Sequence, residues 1–216
     1  VELVEVDYEE LPVIVDPFKS MQSDVVLRED LDPKAPGAHG PRKHHNHIFT
    51  WEVGDKDGTN AVIDDADIVA EESMYYHRTH PCPLEPCGSV ASMDKVNGKL
   101  TLWGTFQAPH VVRTVASLLS GIEEHNIRVV SPDIGGGFGN KVGVYPGYVC
   151  SIVASIVTGV PVKWVEDRME NLMSTAFARD YWMKGKISAT KEGKITGLHC
   201  HVTADHGAFD ACADPT

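Results

Sequence analysis

The sequence of 216 residues is long enough for one domain with a substantial core or for two small domains. Apolar residues make up 42% of the chain and charged residues 23%, which is ordinary for a soluble globular protein. The formal net charge of −12 argues against nucleic acid or an anionic membrane surface as a partner, and no run approaches the roughly 18 apolar residues that span a bilayer.

The first part of the chain, residues 1–60, is predicted to form an N-terminal strand and an irregular connection, followed by an α/β domain over residues 61–216. Val1 to Tyr8 alternates apolar and acidic residues with the period of an amphipathic strand. The connection from Arg28 to His47 is rich in proline, glycine and histidine and has no periodicity. A second strand is predicted from Ile48 to Val53.

Three closely spaced histidines in this connection suggest a metal site. They are His44, His45 and His47, and no carboxylate or cysteine accompanies them. Three ligands this close cannot all face one ion from regular structure, so we expect surface-loop or interface histidines instead.

The next segment is predicted to be a long strand, Ala66 to Thr79, followed by a stretch without regular structure. That stretch, His80 to Cys87, contains three prolines, which exclude a helix or a central strand. Glu85 within it is expected to act as a structural acceptor for backbone donors, with a role in a functional site as the alternative.

A β-hairpin is the clearest short-range prediction in the chain. Val90 to Val96 and Lys99 to Phe106 are joined by Asn97-Gly98, the preferred pair for a type I′ turn. A helix is predicted to begin after His110, because its apolar residues fall on one stripe up to Gly121.

A glycine-rich loop follows the short apolar strand Ile127 to Val130. The loop, Ser131 to Lys141, contains four glycines among five residues and is called the glycine loop below. It matches neither the dinucleotide fingerprint nor the Walker pattern. Glycine lets the backbone adopt positive φ and approach a ligand, and its N–H groups can then face an anion. Two interpretations remain, a cofactor cradle with Phe138 as an apolar wedge and a strained turn without a ligand.

The remaining elements give the fold class. A helix is predicted from Tyr148 to Gly159, then a buried strand from Val162 to Val165, and a hairpin made by Tyr181 to Ala189 and Ile195 to Ala204. The prediction is an α+β, or mixed α/β, fold of strand-rich hairpins with two crossover helices. The glycine loop lies where the first crossover unit passes into the second, a usual position for ligands.

The five cysteines, Cys82, Cys87, Cys150, Cys200 and Cys212, are scattered and odd in number. This pattern does not indicate a secreted disulfide scaffold and favours a reducing compartment. The spacing of the first two is part of an iron–sulfur pattern, but the third and fourth thiols are missing nearby, so unpaired structural cysteines are expected.

Five blocks of residues, in this order, resemble the large subunit of the molybdenum hydroxylases, the family of xanthine dehydrogenase and aldehyde oxidoreductase. The blocks are Pro83-Leu84-Glu85-Pro86, Thr105-Phe106-Gln107-Ala108-Pro109-His110, Pro132 to Lys141, Val162 to Arg168 with Ala178-Arg179-Asp180, and Asp205-His206-Gly207-Ala208. The resemblance extends over the whole chain, which therefore resembles an internal part of a larger molybdopterin-binding subunit.

Within that family, the chain is most similar to the aerobic carbon monoxide dehydrogenases. The residues that carry this similarity are Arg42 to Phe49, Gly139-Asn140-Lys141 and Ser174 to Asp180. Purine-oxidising members have a glutamate directly after the loop lysine, where this chain has Val142. A purine would lose a polar anchor there, whereas a small apolar gas needs none.

The resemblance implies a set of cofactors and partners. It implies molybdenum held by a molybdopterin dinucleotide, and copper held by a cysteine on a loop that does not occur in this chain. It also implies electron transfer to an iron–sulfur subunit with a 2Fe-2S cluster and then to a flavin subunit with FAD, in a dimer of heterotrimers. The expected location is the cytoplasm, with peripheral association at the inner face of the membrane as an alternative.

The resemblance also implies roles for residues of this chain. Gln107 matches the glutamine whose side-chain amide lies beside an oxygen on molybdenum. Gly136, Gly137, Phe138 and Gly139 match the loop whose backbone approaches the metal, and Phe138 matches the aromatic residue that narrows the substrate funnel. The amide of Gln107 and the backbone at Phe138 must then lie close together.

Three functions remain open from the sequence. The first is oxidation of carbon monoxide with water to carbon dioxide at a molybdenum–copper site. The second is oxidation of an aldehyde or N-heterocycle by another molybdenum hydroxylase. The third is a non-catalytic fragment or interaction module, and because the matching base and copper-ligand motifs are absent, the isolated 216-residue chain is predicted to be inactive.

Overall fold

The computed structural model describes residues 3–27, 36–37, 40–41, 43–178 and 180–207. The helices are α1 (Pro17–Ser20), α2 (Lys56–Asp64), α3 (Pro109–Ser120), α4 (Pro146–Thr158) and α5 (Arg168–Ser174), with a 3₁₀ turn at Glu124–Asn126. The strands are β1 (Pro36–Gly37), β2 (Gly40–Pro41), β3 (Ile68–Tyr76), β4 (Gly88–Asp94), β5 (Lys99–Gly104), β6 (Ile127–Val130), β7 (Val162–Val165), β8 (Tyr181–Ala189) and β9 (Ile195–Ala204). Six residues named in the sequence analysis lie outside these described ranges: Val1, Arg28, Arg42, Arg179, Ala208 and Cys212.

The chain divides into two compact units. Unit 1 comprises Val1–Tyr76 and Asp180–Phe209, and unit 2 comprises His77–Arg179 and Asp210–Thr216. Unit 1 contains the three-stranded sheet β3-β8-β9, and unit 2 contains the four-stranded sheet β6-β5-β4-β7. The mixed α/β class is confirmed by these sheets and helices, while the predicted domain boundary after residue 60 stays a prediction.

Unit 1 is built around the central strand β8, which pairs antiparallel with both neighbours. Strands β8 and β9 form the predicted hairpin, and α2 packs against them. The carboxylate of Asp55 caps α2 by accepting a hydrogen bond from the Gly58 N–H at 2.9 Å. The sequence did not predict α2, because the two glycines flanking its start favour a turn and its residues form no clear apolar stripe.

Two predicted strands are wrong. The described residues 3–8 form no strand, and neither do residues 48–53. Leu3 and Val4 are 97% and 69% exposed, so the alternating pattern faces solvent on both sides. A strand needs a neighbouring strand in a sheet, and neither segment belongs to any of the sheets formed by the described residues.

Unit 2 confirms the predicted hairpin and both crossover units, but the predicted type I′ turn is wrong. The loop of the hairpin spans residues 95–98, and Gly98 has a positive φ of 67° whereas Asn97 does not, so the two-residue turn that needs positive φ at both positions is not formed. Strands β4 and β5 pair antiparallel, from Ser89 opposite Gly104 to Asp94 opposite Lys99. Strand β5 pairs in parallel with β6 after the α3 crossover, and α4 returns the chain to β7 at the other edge of the sheet. The glycine loop therefore begins where the edge strand β6 ends.

The helices of unit 2 end as their sequences predict. Gly121 after α3 and Gly159 after α4 have φ of 72° and 75°, the left-handed conformation that terminates a helix. A capping box starts α5, in which Asp167 and Glu170 bond each other's backbone N–H groups. The core between sheet and helices comprises Cys87, Ala91, Leu100, Leu102, Phe106, Val112, Ala116, Ile127, Tyr145, Tyr148 and Ile152. In the described part of the chain, no helix combines the length and apolar character needed to cross a membrane.

Candidate functional site

The glycine loop folds onto the end of strand β5 and is held there by Gln107. The backbone N–H of Gln107 donates to the Lys141 carbonyl at 2.9 Å. Its side-chain Oε1 accepts hydrogen bonds from the backbone N–H groups of Gly139 and Lys141, both at 3.0 Å. The Gln107 side chain and the Phe138 main chain therefore lie together, as the resemblance requires.

These contacts determine the orientation of the Gln107 amide. Only the oxygen of a carboxamide can accept a hydrogen bond, so the two loop N–H groups fix Oε1 on the loop side. The Nε2 group then has two N–H donors and no acceptor among the described residues. Gln107 is exposed, so Nε2 is available to a bound group.

The centre of the glycine loop has three consecutive unpaired donors. The backbone N–H groups of Gly136, Gly137 and Phe138 have no acceptor in the described part of the chain. Gly136, Phe138 and Gly139 have φ of 94°, 53° and 86°, so three of the four residues from 136 to 139 have positive φ. Successive N–H groups in such a conformation form a concavity that binds anionic or oxygen-bearing ligands. This geometry favours the interpretation of the loop as a cofactor cradle, because a turn without a ligand would leave the three N–H donors without an acceptor.

Position 137 must be glycine because the Gln107 side chain occupies the space that a Cβ atom would need. A Cβ atom on Gly137 would lie 2.5 Å from both Cδ and Oε1 of Gln107. By contrast, a Cβ on Gly139 would meet nothing within 4 Å, and that glycine is needed for its positive φ. Phe138 is itself left-handed, and 72% of it is exposed beside the unpaired donors.

Glu85 is an acceptor for the glycine loop, as the sequence predicted. Its Oε2 accepts from the Gly135 N–H at 2.6 Å and from the Lys141 Nζ at 2.8 Å. The Lys141 side chain is fully buried, whereas 41% of the Glu85 side chain is exposed. Partial burial raises the pKa of Glu85, but the hydrogen bonds from Lys141 and Gly135 outweigh it and leave this pKa below its ordinary value.

The contribution of this carboxylate to stability is expected to depend on pH. Because its pKa is lowered on folding from 4.5, the charged form stabilises the fold above that value, and the contribution is lost as the pH falls through the lower folded value. The melting-temperature difference between the native protein and Glu85→Gln should be constant near neutral pH and should disappear in acid. A difference that is unchanged below pH 4.5 would contradict this assignment.

A buried polar network lies behind the loop. The amide of Asn140, which is 0% exposed, donates to Thr175 Oγ1 at 2.7 Å, and the Tyr145 hydroxyl donates to the Asn140 carbonyl. Asn171, also 0% exposed, donates to Oε1 of Glu166. The end of the loop is thereby attached to α5 by polar contacts that exclude water.

Glu166 is the carboxylate of this network and is 3% exposed. Its Oε1 accepts the Cys87 backbone N–H at 2.6 Å in addition to the Asn171 amide. Burial raises the pKa of the neighbouring Cys87 thiol to about 12. Cys87 therefore remains a thiol at neutral pH and is a structural cysteine, as predicted.

Most of this network was not predicted from the sequence. Asn140, Glu166, Arg168 and Thr175 lie in the motif blocks but had no role assigned to them, and Asn171 lies in none of the blocks. The Asp167-Arg168-Met169-Glu170 capping pattern was the one local signal for α5. The contacts of Asn140 with Thr175 and Asn171 join residues 35 and 31 positions apart, and no local pattern reports them. The contact of Cys87 with Glu166 joins residues 79 positions apart.

The histidines of the irregular connection take part in local hydrogen bonds. His44 Nδ1 accepts from the Asn46 N–H at 3.3 Å, and His47 Nδ1 accepts from the Lys43 N–H at 2.9 Å. Among the described residues, no group of three or more histidine, cysteine, aspartate or glutamate side chains is arranged to hold a metal ion.

Comparison with known proteins gives a consistent result. The family model for the molybdopterin cofactor-binding domain matches residues 39–216. The whole chain is 68% identical to the carbon monoxide dehydrogenase large chain of Afipia carboxidovorans and 66% identical to that of Hydrogenophaga pseudoflava, and it covers 27% of each. It is 35% identical to the nicotine 6-hydroxylase large subunit of Paenarthrobacter nicotinovorans, over 96% of this chain and 24% of that protein.

A solved structure of reconstituted CO dehydrogenase from Oligotropha carboxidovorans superposes with a TM-score of 0.87. The match has 68% identity and covers 97% of this chain and 26% of that one. Quinoline 2-oxidoreductase from Pseudomonas putida 86 superposes with a TM-score of 0.74 at 26% identity, over 96% of this chain and 25% of that one. The chain thus spans about a quarter of the length of the curated relatives it matches.

Proposed function

This chain belongs to the molybdopterin cofactor-binding domain family, and on that basis we propose that it is part of the large subunit of an aerobic carbon monoxide dehydrogenase. The proposed reaction converts carbon monoxide and water to carbon dioxide, two protons and two electrons. The observation that carries the proposal is an identity of 66% and 68% to two such large chains along the whole chain, against 35% to the nicotine 6-hydroxylase large subunit.

The glycine loop and Gln107 fit the cofactor that this family name implies. The unpaired N–H groups of Gly136, Gly137 and Phe138 and the free Nε2 of Gln107 are donors suited to oxygen atoms of a bound molybdopterin group. Gly139 contributes the left-handed turn that closes the loop. When bound, the molybdopterin dinucleotide would supply the redox chemistry.

The part played by this chain is electrostatic and positional. Gln107 Nε2 would donate to an oxygen on which negative charge increases during the reaction. In a site from which water is excluded, one such preorganised donor lowers the barrier by about 3 kcal/mol. The two loop N–H groups on Oε1 hold this donor in place before substrate arrives.

The substrate is proposed to be a small apolar gas. Phe138, which is 72% exposed beside the unpaired donors, would narrow the path to the site. Val142, which is half-buried, offers no polar group to anchor a heterocycle. These two residues support carbon monoxide over a purine as substrate.

Copper and the partner subunits complete the proposal. The copper ligand is proposed to be a cysteine on a loop outside this chain, as the resemblance to the carbon monoxide dehydrogenases implies. Electrons are proposed to leave through a 2Fe-2S subunit and then a subunit with FAD, in a dimer of heterotrimers. The four described cysteines are free, which supports the cytoplasm as the compartment, with the inner membrane face as the alternative site.

The test is purification of the complete complex followed by metal analysis and assay. Near-stoichiometric molybdenum and copper, with reduction of an electron-accepting dye by carbon monoxide, are the expected results. Molybdenum without copper, with oxidation of an aldehyde or N-heterocycle instead, would overturn the choice of substrate. The isolated 216-residue chain should show no turnover. If the complete complex contained neither molybdenum nor copper, the result would favour a non-catalytic module.

A further inference from the structure

One carboxylate oxygen joins the first glycine of the glycine loop to the last residue of the loop. Oε2 of Glu85 accepts hydrogen bonds from the N–H of Gly135 and from the ammonium group of Lys141. The Lys141 side chain is 0% exposed, and Glu85 is its ion-pair partner at 2.8 Å. A buried ammonium group is stable only with such a partner, so Glu85 determines where Lys141 lies.

The main chain of Lys141 connects this ion pair to Gln107. Its N–H donates to Gln107 Oε1 at 3.0 Å, and its carbonyl accepts the Gln107 N–H at 2.9 Å. A displacement of Lys141 therefore removes one of the two bonds that orient the Gln107 amide. Glu85 itself makes no hydrogen bond to Gln107 among the described residues, so its influence on that amide passes through the loop.

Glu85 is in turn held by its own backbone and by Arg168. The Arg168 Nη2 group donates to the carbonyls of Pro83 and Leu84 at 2.6 and 3.0 Å, and Nη1 donates to Asn171 Oδ1 at 2.9 Å. The N–H of Glu85 donates to the Gly135 carbonyl at 3.3 Å. The backbone around Glu85 is therefore held in place by these hydrogen bonds, and this fixes the position from which its partly exposed carboxylate contacts the loop.

We propose that Glu85 is a positioning residue for Gln107 and that it acts through Lys141. Its consequence for turnover rests on the proposed function, whereas its effect on the Gln107 amide does not. Partners that orient the groups around a metal centre typically contribute 10–100-fold to activity when they are removed, which sets the expected scale.

The kinetic test uses the complete large subunit in its native complex with Glu85→Ala, Lys141→Met and the double variant. Each single variant should lower kcat about 10–100-fold while KM for carbon monoxide and the molybdenum content change little. The double variant should be no slower than Lys141→Met, because both changes break the same connection. Multiplicative losses in the double variant, or an unchanged kcat in either single variant, would overturn the proposal.

Two further variants separate positioning from general stability. Glu85→Gln retains an oxygen for the Gly135 N–H and should recover part of the kcat lost in Glu85→Ala. Glu124→Gln is the matched control, since Glu124 is 42% exposed and paired with Arg113 at 3.1 Å, much as Glu85 is 41% exposed and paired with Lys141. The control should leave kcat within about twofold of the native value.

A structural readout is independent of the substrate. In a crystal structure of the Glu85→Ala protein, the distance from Gln107 Oε1 to the Lys141 N should exceed the 3.0 Å found here, or the amide should be rotated. An unchanged distance and orientation would overturn the proposal whatever the protein oxidises. Failure of the native complex to oxidise carbon monoxide would instead contradict the proposed function and leave this geometric result standing.

Discussion

Replacement of Gly137 by alanine is expected to reduce activity of the complete enzyme by about a hundredfold or more. The new Cβ would lie 2.5 Å from Cδ and Oε1 of Gln107, far inside contact distance. Gln107 cannot move away while keeping its bonds to the Gly139 and Lys141 N–H groups. The amide donor and the loop donors would then no longer converge on one bound group. Steady-state kinetics and the molybdenum content of the purified variant measure the effect.

Gly143→Ala is the matched control for this experiment. Gly143 is also buried, its φ is not in the left-handed region, and an added Cβ would lie 3.5 Å from the Tyr145 ring, an ordinary contact. This variant should retain near-native activity. If both alanine variants were fully active, the packing of Gln107 against Gly137 would be irrelevant to function.

Glu166→Ala is expected to cause the largest loss of local stability. Two buried donors, the Cys87 N–H and the Asn171 amide, would lose their acceptor. A buried donor without a partner costs about 1–3 kcal/mol, so loss of the acceptor of both donors should lower the opening free energy of this region by about 2–6 kcal/mol. Native-state hydrogen exchange at the start of β4 and at Asn140 measures this quantity directly.

A surface carboxylate serves as the control for that experiment. Glu123 is 75% exposed and contacts His125 at 3.3 Å, so Glu123→Ala should change the opening free energy by less than about 1 kcal/mol. Equal hydrogen exchange in the Glu166→Ala and native proteins would show that solvent satisfies both donors and that the network does not hold the loop.

The parts of the fold that were predicted correctly have local signals. Asn97-Gly98 indicated the β4–β5 hairpin, and Gly121 and Gly159 marked the ends of α3 and α4. The strands predicted at residues 1–8 and 48–53 had the right alternation or composition but no neighbouring strand among the described residues. Helix α2 has a capping residue, Asp55, yet too little apolar periodicity to be recognised.

For the candidate site, local patterns in the sequence were enough to show that a glycine-dense loop follows a strand and that Gln107 and Phe138 belong to one family pattern. Long-range packing was needed to show that the amide oxygen of Gln107, and not its nitrogen, faces the loop, that Gly137 must lack a side chain, and that Glu85 reaches both Gly135 and Lys141. The physical reason is distance along the chain. Backbone preferences act over a few residues, whereas these hydrogen bonds join positions 32 to 56 residues apart and depend on how the sheet brings strand ends together.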